Sequence, residues 1–392
     1  MSPSDVKPPI NWPAIIVLFS TPLAALIAIP LYAWFADFST AAWVLMVGYL
    51  FANGLGITMG YHRLWSHRAF EAHWLVKIPL MLLGTAAIQN SILMWGSGHR
   101  VHHRHVDDVD KDPYSARRGF WFSHMGWMIR DYPTGYADFS NAQDLLKDPI
   151  VMFQHNHYIK LVLLMNFGVP MLFGWLVGDF WGVVLLMGLL RLVLSHHTTF
   201  FINSLAHMWG SQPYTDENTA RDNFVVALFT YGEGYHNFHH IFQYDFRNGV
   251  KWWQYDPTKW LILACSWVGL TKNLKRVPDF TIRKAQLQMQ FKRAQRQLEA
   301  SASRLPMMDV EALKQRMTHE YDAFMATLNE WGTLKEEWYA EKKQALADKK
   351  QELTLKWEEA DFSARFKEME NRLQMQSRRL EQMMRQAFPT PV

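Results

Sequence analysis

Three histidines stand close together in Gly98-His99-Arg100-Val101-His102-His103, at positions i, i+3 and i+4. On a helix that spacing puts three imidazoles on one face, where they can converge. The spacing recurs at His236, His239 and His240, within Gly234-Tyr235-His236-Asn237-Phe238-His239-His240. Neutral imidazole is a good ligand for iron, zinc and copper. Two such runs more than a hundred residues apart, in a chain with 17 His, point to a shared metal centre. His62 and His67, in Tyr61-His62-Arg63-Leu64-Trp65-Ser66-His67-Arg68, and His207, in Asn203-Ser204-Leu205-Ala206-His207, extend the set.

Nine imidazoles exceed the roughly four to six donors that fill one first-row ion, whereas two neighbouring ions would use them all. His62 and His67 stand about 140° apart on an α-helix, so a frayed end or a kink is expected there. Asn203 lies about one turn before His207 and shares its face; its carbonyl could ligate an ion or hold a metal-bound water. His73, His105, His124, His155, His157 and His319 lack the repeated spacing. The pair His196-His197 precedes His207 by about three turns and is a candidate for the surroundings of the site or a tunnel wall.

These residues need elements that bring them together. From Trp12 to Phe35 the chain is apolar and uncharged, long enough to cross about 30 Å of hydrocarbon. After a turn at 36–40, residues 41–59 form a second uncharged run, with the His62 and His67 segment at its exit. Arg63 and Arg68 at that exit put it on the cytoplasmic side by the positive-inside rule, and the N-terminus with it. Residues 158–177 and 180–201 make a second hairpin through Gly178-Asp179, ending ahead of His207. Arg191 within it is awkward, since a mid-span arginine costs roughly 2.5–3.5 kcal/mol to insert. The apolar stretch 74–95 decides the topology. If it crossed the bilayer, His62 and His67 would lie on the opposite side from His99, His102 and His103. It also holds Lys77, Pro79, Gln89, Asn90 and Ser91, and is expected to be one interfacial helix.

Composition narrows the function classes. A net charge of +4 with scattered basic residues gives no case for nucleic acid. Aromatics at 15%, with 18 Trp and 25 Phe, suit membrane interfaces and apolar tunnels, and Trp252, Trp253 and Trp260 resemble an interfacial belt. The single Cys265 excludes an intramolecular disulfide, a C-x-x-C pair and a four-cysteine iron–sulfur site, so any metal is held by nitrogen and oxygen. Residues 1–12 lack the basic start and small-residue cleavage site of a signal peptide. From about Thr281 the chain turns densely charged, with Leu287, Phe291, Ala294 and Leu298, then Phe324, Leu328 and Trp331, at helical steps. The expected domains are therefore 1–280 in the membrane and 281–392 as an amphipathic helical or coiled-coil extension, broken near Pro306 and Gly332.

The runs HRLWSH, HRVHH and HNFHH, the last preceded by GEG and followed by FQYDFRNG, resemble the three histidine boxes of membrane fatty acyl-CoA desaturases of the stearoyl-CoA (delta-9) type. The resemblance runs from about Trp12 to Pro278 and includes Asp112-Pro113, the run from Arg117 to Trp127, and Asn203-Ser204. It implies an all-α membrane protein, in which four transmembrane helices carry a cytoplasmic helical cap with a di-iron centre. It makes His62, His67, His99, His102, His103, His207, His236, His239 and His240 the ligands, with Asn203 acting through a water. It also puts Gln89, Asn90 and Trp95 on an acyl tunnel. The implied reaction is O2-dependent desaturation of a long-chain fatty acyl-CoA, most naturally at delta-9, in the cell (inner) membrane with the catalytic face cytoplasmic. No Cys cluster, Gly-rich dinucleotide loop or haem motif occurs, and no His-Pro-Gly-Gly of a fused cytochrome b5. A separate ferredoxin, cytochrome b5 or flavin reductase is therefore implied as electron donor. Arg100, Arg104, Arg117 and Arg118 are candidates for contacts to the CoA phosphates or to that donor. A hydroxylase or alkane monooxygenase on the same metals is the nearest rival. A metal transporter fits less well, because transporters place polar ligands near the midplane and these boxes lie beyond the span ends.

Overall fold

A computed structural model describes residues 8–135 and 138–301, then 312, 314–316, 318–327, 329–330, 332–333, 368, 371–372, 375, 378–379 and 382. Helix α1 (Trp12–Phe35) is started by Asn11, whose side chain accepts from the Ala14 amide, and by Pro13 in its first turn. Helix α2 (Thr40–Ser66) follows, then α3 (Trp74–Thr85) and α4 (Ile92–His105). Helices α5 (Tyr158–Val177) and α6 (Phe180–Met208) form the second hairpin, followed by α7 (His236–Ile241) and α8 (Pro257–Trp267). Helices α1, α2, α5 and α6 are long and apolar enough to cross a membrane. Large apolar side chains on α1 and α5, such as Leu26, Trp34 and Trp175, are exposed, as a lipid-facing surface requires. At the end of the bundle away from the histidines, Asp179 accepts from Tyr32 Oη, the Ser39 amide and the Gly182 amide, each at 2.9 Å, and so ties the two hairpin turns together.

The stretch 74–95 is two helices, not the single one expected. Helix α3 stops at Thr85, and α4 starts at Ile92 with Ser91 as its cap. Between them Ile88 and Asn90 adopt positive φ values of 52° and 71°, which no helix accepts. The carbonyls released by this break lie within the protein, so they need donors. Helix α6 supplies them: Arg191 Nη1 donates to Ala86 O at 2.8 Å, and His196 Nε2 lies 2.8 Å from Ala87 O. Gln89 Nε2 donates to Thr199 Oγ1 at 2.9 Å. Arg191 thus faces the bundle interior, fully buried, with Asn166 Oδ1 at 2.7 Å and its guanidinium 4.9 Å from the Tyr49 ring centroid.

One core joins these parts. Ile57, Met59, Tyr61, Leu64 and Trp65 of α2 pack with Leu80 and Met81 of α3, Ile92 and Leu93 of α4, and Ile262 of α8. A two-stranded antiparallel ladder, Glu71–Ala72 on Thr271–Lys272, fastens the exit of α2 to the segment after α8. The chain divides into two compact units, Met1–Gln212 with Asp216–Val277, and Pro213–Thr215 with Pro278–Val392. In the second, helix α9 (Asp279–Ser301) buries Leu287, Phe291 and Ala294 with Phe324, and Phe291 stacks on Tyr321 at 4.2 Å. Gly332, expected as a break, is helical together with Thr333, whose Oγ1 donates to Asn329 O. Pro306, Leu328 and Trp331 lie outside the described residues.

Candidate metal centre

The last eleven residues of α2, Gly56–Ser66, are a π-helix. Its bonds run from i to i+5, so residues five apart sit on successive turns of one face. The His67 amide donates to His62 O at 3.1 Å, and the two rings are 4.8 Å apart. This is how a pair that an α-helix would splay by about 140° comes to one side. Helix α4 presents His99, His102 and His103 in its last two turns, α6 presents His207 in its final turn, and α7 presents His236, His239 and His240.

The nine rings sort into two groups. His62, His67, His99, His103 and His239 form one; His102, His207, His236 and His240 form the other. Within each, ring nitrogens lie within 4.8 Å of one another. Each triplet is therefore shared: the i, i+4 pair serves one group and the residue between serves the other. Residues on both flanks of 74–95 meet here.

Each nearest-neighbour contact joins Nε2 to Nε2. The separations are 2.9 Å for His62–His239 and His67–His99, and 3.0 Å for His103–His239 and His236–His240. They are 3.1 Å for His207–His236 and 3.3 Å for His102–His240. Nitrogens about 2.0–2.1 Å from one ion at right-angled or tetrahedral spacing are separated by about 2.9–3.4 Å. The donor set therefore fits two ions, each taken by imidazole alone. Burial pushes His67, His99, His103, His236, His239 and His240 well below the ordinary histidine range, and the neighbouring imidazoles push them further. They are neutral at pH 7, with lone pairs free for a metal.

Residues behind the rings were less legible in sequence. Glu233 Oε2 lies 2.9 Å from His62 Nδ1, and Asp112 Oδ1 lies 2.8 Å from His102 Nδ1. Thr219 Oγ1 is 2.8 Å from His207 Nδ1 and donates to Asp107 Oδ1 at 2.6 Å, while Tyr114 Oη is 3.1 Å from His99 Nδ1. Asp112 reads in sequence only as half of a turn-forming Asp-Pro; the one signal for Glu233 is its place three residues before His236. Arg63, taken from sequence as a topology marker, is 1% exposed and bridges Glu233 and Asp256.

Trp95 stacks on His99 at 4.7 Å and meets His62 edge-on at 6.1 Å, so it walls the five-histidine group. Gln89 and Asn90 lie in the loop between α3 and α4, Asn90 exposed with its carbonyl 3.4 Å from Tyr61 Oη. Asn203 is half-buried and ends a helical stretch four residues before His207. Arg100 corrects the expectation of a free phosphate contact. It is engaged by both oxygens of Asp144, at 2.6 and 2.8 Å, and by the carbonyls of Trp65, Ser66 and Asn141. Arg104 and Arg117 are exposed, and the exposed Arg118 lies 3.5 Å over the Phe122 ring. His197 Nδ1 is 3.1 Å from His124 Nε2, apart from the nine. His319 is exposed in the second unit.

The sequence profile of the fatty acid desaturases matches residues 38–267, which include all nine histidines. The chain belongs to the fatty acid desaturase family. Among relatives in that family, a probable acyl-CoA desaturase of Schizosaccharomyces pombe is 42% identical over 308 residues, 77% of this chain and 63% of that protein. Acyl-CoA desaturase 1 of Saccharomyces cerevisiae is 45% identical over 248 residues, 63% of this chain and 48% of that protein. Stearoyl-CoA desaturase 5 of Bos taurus is 40% identical over 230 residues, 57% of this chain and 68% of that protein. The chain thus spans less than two thirds of the length of the two yeast relatives.

Proposed function

We propose that this desaturase-family chain introduces a double bond into a long-chain fatty acyl-CoA, at delta-9, with O2 as oxidant. The observation that supports this most is the pair of all-imidazole groups presented by α2, α4, α6 and α7, in a chain with four helices apolar enough to cross a membrane and similar to proteins named as acyl-CoA desaturases. Two hydrogens leave adjacent methylenes; with two electrons and two protons from outside, O2 leaves as two waters. Two iron ions, held by the five-histidine and four-histidine groups with Asn203 acting through water, would supply O2 activation that no side chain can perform.

The protein's own residues do the rest. The buried neutral imidazoles keep the site at low charge, and Trp95 beside His99 and His62 offers an apolar wall against which one C–C bond can be held. Gln89 and Asn90, on the fixed loop beneath, line the same path. Exposed Arg104, Arg117 and Arg118 remain for the CoA phosphates or for a separate one-electron donor such as ferredoxin, cytochrome b5 or a flavin reductase. The two hairpin turns 36–39 and 178–179 contain Asp37 and Asp179 but no Lys or Arg, whereas Arg68, Arg104 and Arg117 are exposed near the histidines. That asymmetry supports a cytoplasmic catalytic face in the cell membrane.

Gas chromatography–mass spectrometry of acyl products formed from defined acyl-CoAs, O2 and a reductant tests the proposal. A new delta-9 alkene, absent with His102→Ala and retained with His319→Ala, is expected. Hydroxy acids without alkenes would assign a hydroxylase, and bound ions without oxygen-dependent turnover would assign metal transport or storage.

A further inference from the structure

An imidazole can offer Nε2 to a metal only when its proton sits on Nδ1, so the group facing Nδ1 decides whether the ring is a ligand. Among the described residues, two of the nine rings face a carboxylate there, and they belong to different groups: His102 is hydrogen-bonded through Nδ1 to Asp112, and His62 Nδ1 lies 2.9 Å from Glu233 Oε2 at an angle that falls short of a hydrogen bond. An ionised carboxylate only accepts, which fixes the proton on Nδ1. We propose that Glu233 and Asp112 are positioning residues, one for each metal site, and that each governs the affinity of its own site alone. This rests on the reading that the nine imidazoles hold two ions.

The surroundings of each carboxylate make it irreplaceable by its amide. Glu233 is 1% exposed. Its Oε1 accepts from Arg63 Nε at 3.2 Å and Nη2 at 2.9 Å, and its Oε2 accepts from Asn248 Nδ2 at 2.5 Å besides facing His62. Asp112 is likewise 1% exposed. Its Oδ1 accepts from the Tyr114 amide at 3.2 Å besides facing His102, and its Oδ2 accepts from the Asp107 amide at 3.0 Å. Every neighbour is a donor. An amide in either place must aim its NH2 at a backbone or side-chain N–H, or at the imidazole. Aimed at the imidazole, it donates to Nδ1 and drives the ring proton to Nε2, the nitrogen the metal needs. The same exchange of carboxylate for amide disables a hydrolase triad through the wrong tautomer.

The two carboxylates act independently because they come from different parts of the chain. Glu233 lies in the turn before α7 and is fastened through Arg63 to Asp256. Asp112 lies in the loop after α4 and is fastened by backbone amides.

Purified metal-free protein in detergent, titrated with Co2+, tests this, with bound ion per chain counted by mass spectrometry and followed by visible absorption. Wild type should take two ions. Glu233→Gln should keep one at wild-type affinity and lose about 10–100-fold for the other. Its surviving site should persist in a double variant with His67→Ala and disappear with His236→Ala. Asp112→Asn should show the reverse pattern. Both variants should lower the unfolding temperature of the metal-free protein, because each leaves buried donors facing an amide. A merely structural role would weaken both sites together, whereas the loss of one ion with the other at wild-type affinity marks positioning. If Glu233→Gln does not fold, Asp112→Asn on its separate loop carries the same test. Unchanged binding in both variants, or loss of both ions together, overturns the proposal. Wild-type protein that binds no Co2+ overturns the metal reading itself, and this inference with it.

Discussion

Gly56 opens the π-helical end of α2 and touches α3 backbone to backbone. A Cβ placed there would meet Gly84 N, lie 2.7 Å from Leu83 C and 2.9 Å from Gly84 Cα. Ordinary carbon contacts begin near 3.5 Å, so Gly56→Ala must part the two segments by about an ångström. No flexible side chain is there to yield. Overpacking of this kind costs about 1–3 kcal/mol. The functional consequence is larger, because His62 and His67 ride on the π-helix while His99 and His103 follow from α3 through the fixed loop. Opening that joint separates contacts now at 2.9 Å, such as His67–His99. A displacement of about 1 Å at a reacting centre lowers rate on the order of 10²-fold. The assay is alkene product per unit of purified protein, with metal content measured on the same sample. Gly48→Ala is the control: a Cβ there meets nothing within 4 Å, and alanine gains about 1 kcal/mol of helix propensity. Equal product and equal metal in the two variants would refute the claim that this helix crossing sets the spacing of the five-histidine group.

Acid should destabilise the metal-free protein. Six of the ligand histidines sit well below their ordinary value of about 6.5, and burial pushes His124 down to about 4. Between those values and 6.5 the unfolded chain binds more protons, so stability is full above the ordinary range and falls with pH, by up to about 1.4 kcal/mol per pH unit for each group. A thermal midpoint that does not move between pH 8 and pH 5 would contradict this. Arg100→Ala frees Asp144 and the carbonyls beside His67, and should cost about 1–3 kcal/mol, whereas Arg104→Ala at an exposed site should stay within about 0.5 kcal/mol. Chemical denaturation of both variants measures the difference.

How much could be read in advance depended on whether each signal was local. The four apolar runs and the two histidine triplets are local patterns, and the structure uses both. The demand that His62 and His99 share a site is met in the five-histidine group. The break at Thr85 was hidden because its cause is remote: the donors that make it tolerable, Arg191 and His196, come from another span more than a hundred residues on. The π-helix at Gly56–Ser66 has no familiar periodicity, so the spacing of His62 and His67 looked like a kink. Arg63 looked like a surface charge because its partners, Glu233 and Asp256, are 170 and 193 residues away. The division of each triplet between two groups follows from helix geometry once a second helix faces the first, which no single run contains.

The central claim is that the nine imidazoles hold two redox-active ions. Metal counting combined with iron K-edge absorption spectroscopy on anaerobically purified protein tests it most directly. Two irons per chain, with nitrogen ligands and the outer-shell scattering of imidazole, are expected. Protein with fewer than one bound ion per chain, or iron held through sulfur or carboxylate oxygen, would contradict it.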